Sequence, residues 1–222
     1  MKLHATVLAL GGLALAAGSA VASTIFDNGP INGTVQAFYI NGPSGGNQSI
    51  YDTFAATGSG TVGELQVGIW VLHDETPTGL TWWLGTTLQD NSLGGGVVAL
   101  TPSNLTKVVN DNSLGYDVYE VTLTGLSSAS LTLGDTYVLT LGNATDSGGD
   151  GFIAWDVNNG PATCGYAFGS TDKGSCTGGF GGEAFTLSTS SGTPEPATWA
   201  VMLAGFAGLG ATLRFRRKLA AA

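Results

Sequence analysis

The chain has 222 residues, of which 36 are glycine and 10% are charged, and its formal net charge at pH 7 is −9. Between residues 23 and 193 the imbalance is larger, because two lysines stand against 15 acidic residues, which gives a net charge of −13. A surface of this sign repels phosphate groups, so nucleic acid is excluded as a partner. The length of this segment is that of one domain.

The first 22 residues have the pattern of a secretory signal peptide. Lys2 precedes an apolar stretch over residues 5–17, and the small residues Ala20 and Ala22 stand before Ser23. Signal peptidase accepts this small-x-small pattern, so the sequence predicts an N-terminal signal helix that is removed after Ala22. A buried N-terminal helix is the alternative interpretation, which the glycines of this segment disfavour.

Alternation of polar and apolar residues dominates residues 23–191. It predicts nine strands rich in β-branched and aromatic residues, at 35–40, 50–56, 62–72, 80–84, 96–100, 116–124, 135–141, 151–157 and 183–187. Clusters of Gly, Asn and Asp separate these segments and are typical of turns. We therefore expect an all-β domain, an antiparallel β-sandwich of jelly-roll-like topology, with a barrel as the alternative.

Catalysis has little support in the sequence. His73, in the segment WVLHDETP, is the only histidine after the signal peptide, and no GxSxG motif precedes a helix. Glu64 and Glu120 are the acidic residues whose strand setting suits a glycosidase, which needs two carboxyl groups about 5 to 9.5 Å apart. Alternation with Leu65 and Val67 places Glu64 toward solvent. We expect a loop role for His73 and no enzyme activity.

Three tryptophans are candidates for contact with a sugar. Trp82 and Trp83 are adjacent, so in a strand they point to opposite faces, and one can enter the core while the other stays exposed. Trp155 stands in AWDVNNGP, close to Asn158. An exposed indole beside amide and carboxylate groups suits a sugar ring, so these four residues are the predicted glycan-binding set. The alternative is that the tryptophans fill the sandwich core.

Oxygen ligands crowd the Gly-rich segment NATDSGGDG, which contains Asp146 and Asp150, and Asp156 follows soon after. Hard cations such as Ca²⁺ take six to eight oxygen ligands from loops of this kind. The spacing is not that of an EF-hand, and Asn and Asp also populate ordinary turns. These three aspartates are the candidate calcium ligands, with a turn without an ion as the alternative. No other cofactor is expected.

Cys164 and Cys176 are the only cysteines of the chain. In an exported protein, a pair at short spacing predicts a disulfide. A zinc site is the alternative, but such sites need four ligands, and the one histidine that remains, His73, is far away in sequence.

The C-terminal residues 192–218 form a separate segment, followed by a short tail at 219–222. The motif Pro194-Glu195-Pro196 comes first, and 17 uncharged residues follow at 197–213. As a helix this stretch is about 25 Å long, at the short end of what spans a bilayer. Directly after it stand the basic residues Arg214, Arg216, Arg217 and Lys218. Because positive charge stays on the cytoplasmic side, we expect a transmembrane helix with the domain facing the periplasm.

The stretch PEPATWAVMLAGFAGLGATLRFRRK closely resembles the PEP-CTERM sorting signal of Gram-negative bacteria. The resemblance implies recognition by an exosortase, a membrane protease that cuts near the Pro-Glu-Pro motif, with 197–213 as the span and the basic cluster as its stop. Some labels call such a tail an ice-binding C-terminal segment, but a sorting signal says nothing about ice. Residues 23–191 are similar to a sandwich domain common in proteins with this tail, in stretches such as DETPTGLTWWL.

Together these patterns favour an exported, non-catalytic protein. We expect signal peptidase and an exosortase as processing partners and a transient anchor in the inner membrane. The final location is then the cell surface or the extracellular matrix, in association with exopolysaccharide or biofilm. The alternatives are a carbohydrate-binding module, with or without calcium, and behind it a secreted glycan-cleaving enzyme.

Overall fold

Alternating residues build strands throughout the described part of the chain. The structure, a computed structural model, describes residues 22–34, 36–41, 48–126, 128, 130–149, 151–176, 181–190 and 206. The fourteen strands of these residues are, in chain order, β1 (Thr24–Asp27), β2 (Ala37–Asn41), β3 (Gln48–Ala55), β4 (Gly60–Leu72), β5 (Pro77–Gly85), β6 (Gly94–Ala99), β7 (Leu105–Val109), β8 (Tyr116–Thr124), β9 (Ser130–Leu131), β10 (Thr136–Asp146), β11 (Ile153–Asp156), β12 (Thr163–Phe168), β13 (Thr171–Ser175) and β14 (Phe185–Thr189). A single 3₁₀ turn, Pro102–Asn104, precedes β7.

The strands pair antiparallel in two sheets. Sheet A has eight strands and is centred on β4, while sheet B has six in the order β13-β12-β3-β10-β5-β6. Apolar side chains of both inner faces form a common core within the unit Ala22–Ser190. The predicted all-β antiparallel sandwich is therefore confirmed.

The long strand β4 organises sheet A. One of its edges pairs with β8 from Glu64 to Leu72. The other edge is divided, because β14 pairs with the first half of β4 and β11 pairs with Ile69 and Trp70. On the outer side of these two neighbours, β1 pairs with β14 and β2 pairs with β11. A strand of 13 residues is thus long enough to hold two short neighbours in line on one side.

The core lies between the sheets and contains a cluster of aromatic rings. Phe26 of β1, Phe54 of β3 and Phe185 of β14 pack with ring centroids 4.6 to 5.4 Å apart. Trp155 of β11 lies 5.9 Å from Phe185. Burying one such side chain stabilises the fold by about 1.5 to 3 kcal/mol, so this cluster joins sheet A to sheet B strongly.

Nine of the strands are those that the alternation predicts, with shifted ends. The structure adds five that the sequence analysis did not predict, namely β1, β7, β9, β12 and β13. Strands β7 and β13 are mostly exposed and lie at sheet edges, so they carry no alternating apolar face to detect.

Both predicted terminal segments lie outside the described residues, with small exceptions. Ser23 and Ala22 are described, and the backbone N–H of Thr189 donates to the carbonyl of Ser23. Ala20, the Pro194-Glu195-Pro196 motif, the predicted span 197–213 apart from Phe206, and the basic residues Arg214, Arg216, Arg217 and Lys218 are outside. Among the residues that are described, no helix is long and apolar enough to cross a membrane.

Candidate functional site

The outer face of sheet B carries a groove around Trp83. On β5, Trp82 enters the core and is 4% exposed, whereas the neighbouring Trp83 is half-buried and faces outward. The groove has a volume of about 210 Å³. Its lining residues are Gln48, Ser49, Trp83, Gln89, Gly142, Asn143 and Gly169. This is an aromatic ring at the side of a small polar cleft.

Gly142 of β10 leaves the space beside the indole open. A Cβ atom at this position would lie 3.4 Å from Cζ3 of Trp83 and 3.1 Å from Cβ of Ser49. The register of β10 against β5 shifts between Gly142 and Thr145, and Asn143 in this bulge has a φ of 49°. Bulges re-aim side chains next to binding sites, and asparagine tolerates the left-handed conformation. The bulge therefore brings an exposed amide to the rim.

Gln89, from the loop between β5 and β6, closes the groove on one side. Its backbone N–H donates to Oγ1 of Thr140 at 3.4 Å, and its Nε2 donates to Oγ of Ser49 at 3.2 Å. These contacts hold the loop against β10 and β3. Amide groups both donate and accept hydrogen bonds, so the rim suits hydroxyl groups of a ligand.

A second aromatic residue, Tyr51 of β3, stands on the same face. Thr140 is in register with both Trp83 and Tyr51, so these two residues are two strand spacings apart, about 10 Å. The Tyr51 ring lies against Gly165, and its hydroxyl donates to Oδ1 of Asp172 at 2.9 Å. Burial, together with the Asp172 carboxylate, raises the pKa of Tyr51 to about 12. The face thus presents two aromatic rings, and Thr140 between them is buried under the Gln89 loop.

The other residues predicted for glycan binding lie elsewhere. Trp155 has no exposed surface, and its indole N–H donates to the carbonyl of Ala184 at 3.0 Å. Trp82 also belongs to the core. Asn158 is nearly buried against Gly29, in a separate groove of about 420 Å³ lined by residues of 27–32 and 158–161. Of the four predicted residues, Trp83 is the one that faces the sheet B groove.

Two of the three aspartates predicted for calcium are described, and each accepts hydrogen bonds from different neighbours. Oδ1 of Asp146 accepts the N–H of Gly149 at 2.5 Å. Asp156 is fully buried and accepts the backbone N–H groups of Asn32 and Gly33 and the indole N–H of Trp70, the last at 2.7 Å. Burial raises the pKa of Asp156 and these hydrogen bonds oppose the rise. Asp150 lies outside the described residues, so a calcium site formed by these three residues stays a prediction.

The loop residue His73 binds a buried carboxylate that the sequence analysis did not single out. Its Nδ1 donates to Oδ1 of Asp117 at 3.0 Å, and Nζ of Lys107 lies 2.6 Å from Oδ2 of the same carboxylate. The backbone N–H groups of Asp74 and Asp111 also donate to it, and both residues have positive φ values. Nε2 of His73 also lies 3.5 Å from Oδ1 of Asp74, so the imidazole contacts two carboxylates.

The contacts in this cluster stabilise the charged forms of Asp117, His73 and Lys107. Burial alone would raise the pKa of Asp117, but the hydrogen bonds from Lys107, His73 and the two backbone amides outweigh it and hold the pKa well below its usual range. In return, the contact with Asp117 raises the pKa of both His73 and Lys107. Such mutual shifts are typical of a structural ion-pair network.

The two glutamates considered for glycan cleavage lie on neighbouring strands of sheet A. Glu64 faces outward on β4, as the alternation predicts, and Glu120 on β8 is in register with Gly68. Their main chains are therefore four residues apart along the strand direction, about 13 Å. Glycan cleavage by this pair stays the less favoured alternative.

A second buried acidic group joins the two sheets. Asp52 of β3 and Glu183, which precedes β14, both have side chains with no exposed surface. The backbone N–H of Glu183 donates to Oδ2 of Asp52 at 2.8 Å, and the two carboxyl groups lie within hydrogen-bonding reach of each other. Burial raises the pKa of Asp52 to about 7, and burial together with the charge of Asp52 raises that of Glu183 well above its usual value.

The predicted disulfide is confirmed and lies beside this pair. Cys164 and Cys176 are bonded, with their Cα atoms 5.4 Å apart, and Cys164 is in register with Asp52. Oε1 of Glu183 lies 2.8 Å from Sγ of Cys164. Because both sulfurs are committed to the disulfide, they are not thiolate ligands for a metal.

Neither the protein-family models nor the curated proteins gave a match to this chain. The PEP-CTERM family membership therefore stays a prediction from the tail.

Proposed function

We propose that the chain is an exported, non-catalytic protein of the cell surface or extracellular matrix, and that its sandwich binds a polysaccharide on the outer face of sheet B. The observation that carries the binding proposal is the outward-facing Trp83 beside the open floor at Gly142. In this proposal the sandwich is jelly-roll-like and is flanked by a removable signal helix and a C-terminal transmembrane helix.

The chemistry of the face supports a neutral sugar chain as the ligand. The apolar faces of sugar rings pack on aromatic rings, and Trp83 and Tyr51 offer two of these about 10 Å apart. Hydroxyl groups need partners that both donate and accept, which the amides of Gln48, Gln89 and Asn143 provide.

The export proposal rests on the two ends of the sequence. The Pro194-Glu195-Pro196 motif, the uncharged stretch at 197–213 and the basic stop have the order of a sorting signal. Export also agrees with the Cys164–Cys176 disulfide, since disulfides persist in oxidising compartments. We infer that an exosortase processes the chain at the inner membrane and that exopolysaccharide is the ligand it meets outside.

The binding proposal is tested by replacing Trp83 with alanine. Calorimetry of the purified protein with the host's own exopolysaccharide should show at least about a tenfold loss of affinity, since a lost aromatic contact on this scale costs about 1.4 kcal/mol or more. Val97→Ala is the matched control, because Val97 is 84% exposed on the same face of the neighbouring strand β6. Equal affinity of the two variants would refute the Trp83 site.

The sorting proposal has a separate test. Residues 194–196 are replaced by three alanines in the native host, and the mass and location of the protein are followed. We expect the variant to stay with the inner membrane at its unprocessed mass. Release at the wild-type mass would show that processing does not depend on recognition of this motif.

A further inference from the structure

No described basic side chain neutralises the negative charge of the buried carboxyl groups of Asp52 and Glu183. The pair lies between the two sheets, and no Lys, Arg or His among the described residues forms an ion pair with either carboxyl group. Two adjacent carboxylates without a positive partner cannot both stay charged in a protein interior. Either a shared proton or a cation must therefore accompany the pair.

Each of the two carboxyl groups also has an oxygen atom that no donor reaches. Oδ1 of Asp52 and Oε2 of Glu183 are buried and accept no hydrogen bond from the described residues. Buried carboxylate oxygens are ordinarily satisfied, so these two atoms indicate either a shared proton or a bound cation.

The backbone around the pair is shaped to leave room for this partner. Gly182 lies directly against Asp52, and a Cβ at that position would come within 2.7 Å of Oδ1 of Asp52 and 2.6 Å of Nδ2 of Asn28. The amide of Asn28 is fixed, since its Nδ2 donates to the carbonyl of Glu183 and its Oδ1 accepts the N–H of Ala162. A side chain at Gly182 would fill the space beside the carboxylate.

We propose that Asp52 and Glu183 bind a calcium ion that links sheet A to sheet B. The available donors are oxygen atoms, which hard cations prefer, and the adjacent sulfurs are held in the disulfide and cannot attract a soft metal. Oδ1 of Asp52 and Oε2 of Glu183 are the first ligands, and main-chain carbonyl groups or water complete the shell. Calcium tolerates such irregular shells, whereas magnesium requires near-ideal octahedral geometry.

The consequence is a domain that reaches full stability only with calcium. Binding to the folded state alone stabilises that state by mass action. If the chain is exported, as proposed above, it gains this stabilisation outside the cell, together with the disulfide. The binding itself does not depend on the export or on the Trp83 groove.

The first experiment measures thermal unfolding of the full chain in EDTA and in excess CaCl₂. We expect the unfolding midpoint to rise with Ca²⁺, to return to the EDTA value after chelation, and to respond weakly to Mg²⁺. In Asp52→Asn and Glu183→Gln the rise should disappear, because a neutral amide keeps the shape and removes the charge. In the control Glu64→Gln the rise should remain. An identical midpoint in EDTA and Ca²⁺, or a full calcium response in both amide variants, would overturn the proposal.

A second measurement uses the wild-type chain and Asp146→Asn, so it does not require the Asp52 and Glu183 variants to fold. Trp155 donates to the carbonyl of Ala184, the residue next to Glu183, so its indole is well placed to sensitise Tb³⁺ in this site. We expect tryptophan-sensitised Tb³⁺ emission that Ca²⁺ displaces and that persists in Asp146→Asn. Absence of the emission, or its loss in Asp146→Asn, would refute a site at Asp52 and Glu183.

Discussion

Nδ1 of His73 lies 3.0 Å from Oδ1 of Asp117, and this contact ties the loop after β4 to the buried start of β8. Lys107 of β7 reaches the other oxygen of the same carboxylate. Apart from Lys173, these are the only basic residues between positions 23 and 193. Two of the three basic residues of this strongly acidic domain thus contact the buried carboxylate of Asp117. This argues that the cluster has a structural role.

The carboxylate of Asp117 should contribute strongly to stability. Asp117→Ala removes the acceptor of the two backbone amides at Asp74 and Asp111 and leaves Lys107 without its partner. Breaking a buried charged network by removing one partner costs about 3 kcal/mol or more. We expect a loss of this size in the free energy of unfolding measured with urea. The control is Asp135→Ala, at an exposed acidic residue outside this network, and a similar loss in both variants would contradict the prediction.

His73 should make the stability depend on pH in a defined direction. The contact with Asp117 raises the pKa of His73 above 6.5, so the folded state binds the proton more tightly than the unfolded state. The contribution is complete below pH 6.5 and is lost as the pH rises through the folded-state pKa. The unfolding free energy of the wild type should therefore fall relative to His73→Gln above pH 6.5. Parallel curves in that range would show that the contact does not stabilise the charged imidazole.

At acidic pH, the contribution of Asp117 to the free energy of unfolding changes with pH in the opposite direction to that of His73. The pKa of Asp117 is lowered in the fold, so its contribution is present above its usual pKa of 3.8 and is lost as the pH falls through the folded-state value. Wild type and Asp117→Asn should thus converge in stability at strongly acidic pH. A constant difference between them below pH 3.8 would contradict this assignment.

The disulfide should be a separate source of stability. Cys164 and Cys176 are 12 residues apart, and closing a loop of this length stabilises by about 3 kcal/mol on the chain-entropy model. A phosphine reductant should lower the guanidinium midpoint of the wild type. The double variant Cys164→Ser/Cys176→Ser serves as the control and should show no response. A reductant effect on this variant would indicate a different target.

The strands were predictable because their inner faces alternate over many residues. On β4, Leu65, Val67 and Ile69 point inward, and the period of two that this requires is plain in the sequence. The topology was not predictable. Nothing in the sequence indicates that β4 holds β14 and β11 on one edge, because strand order is decided by long-range pairing.

The buried acidic residues Asp117 and Asp52 were not predicted, although their positions in the alternating pattern indicate that they face the core. Asp117 shares the inward phase of Tyr119 and Val121, and Asp52 lies between Ile50 and Phe54. A carboxylate in an inward position must find a charged or hydrogen-bonded partner. The burial of both residues could therefore have been predicted from the sequence. Their partners could not, because these come from other strands and loops.

The groove around Trp83 makes one further prediction that leaves the indole itself untouched. Gly142→Val places a branched side chain next to Cζ3 of Trp83 and Cβ of Ser49, where the open floor now lies. Valine suits a strand, so we expect folding to be retained while affinity for the exopolysaccharide falls about tenfold or more. Calorimetry measures the affinity, and urea unfolding checks the fold.

Gly96→Val is the matched control for this test, because a Cβ at Gly96 meets nothing within 4 Å. The two substitutions add the same side chain to two strands of sheet B. They face opposite sides of the sheet, because Gly96 is in register with the core residue Trp82, and only Gly142→Val fills the groove. If both variants keep wild-type affinity, the ligand does not occupy the space beside Trp83. If both lose it equally, the effect comes from strand stiffening rather than from the groove. A loss confined to Gly142→Val places the sugar chain in the groove beside Trp83.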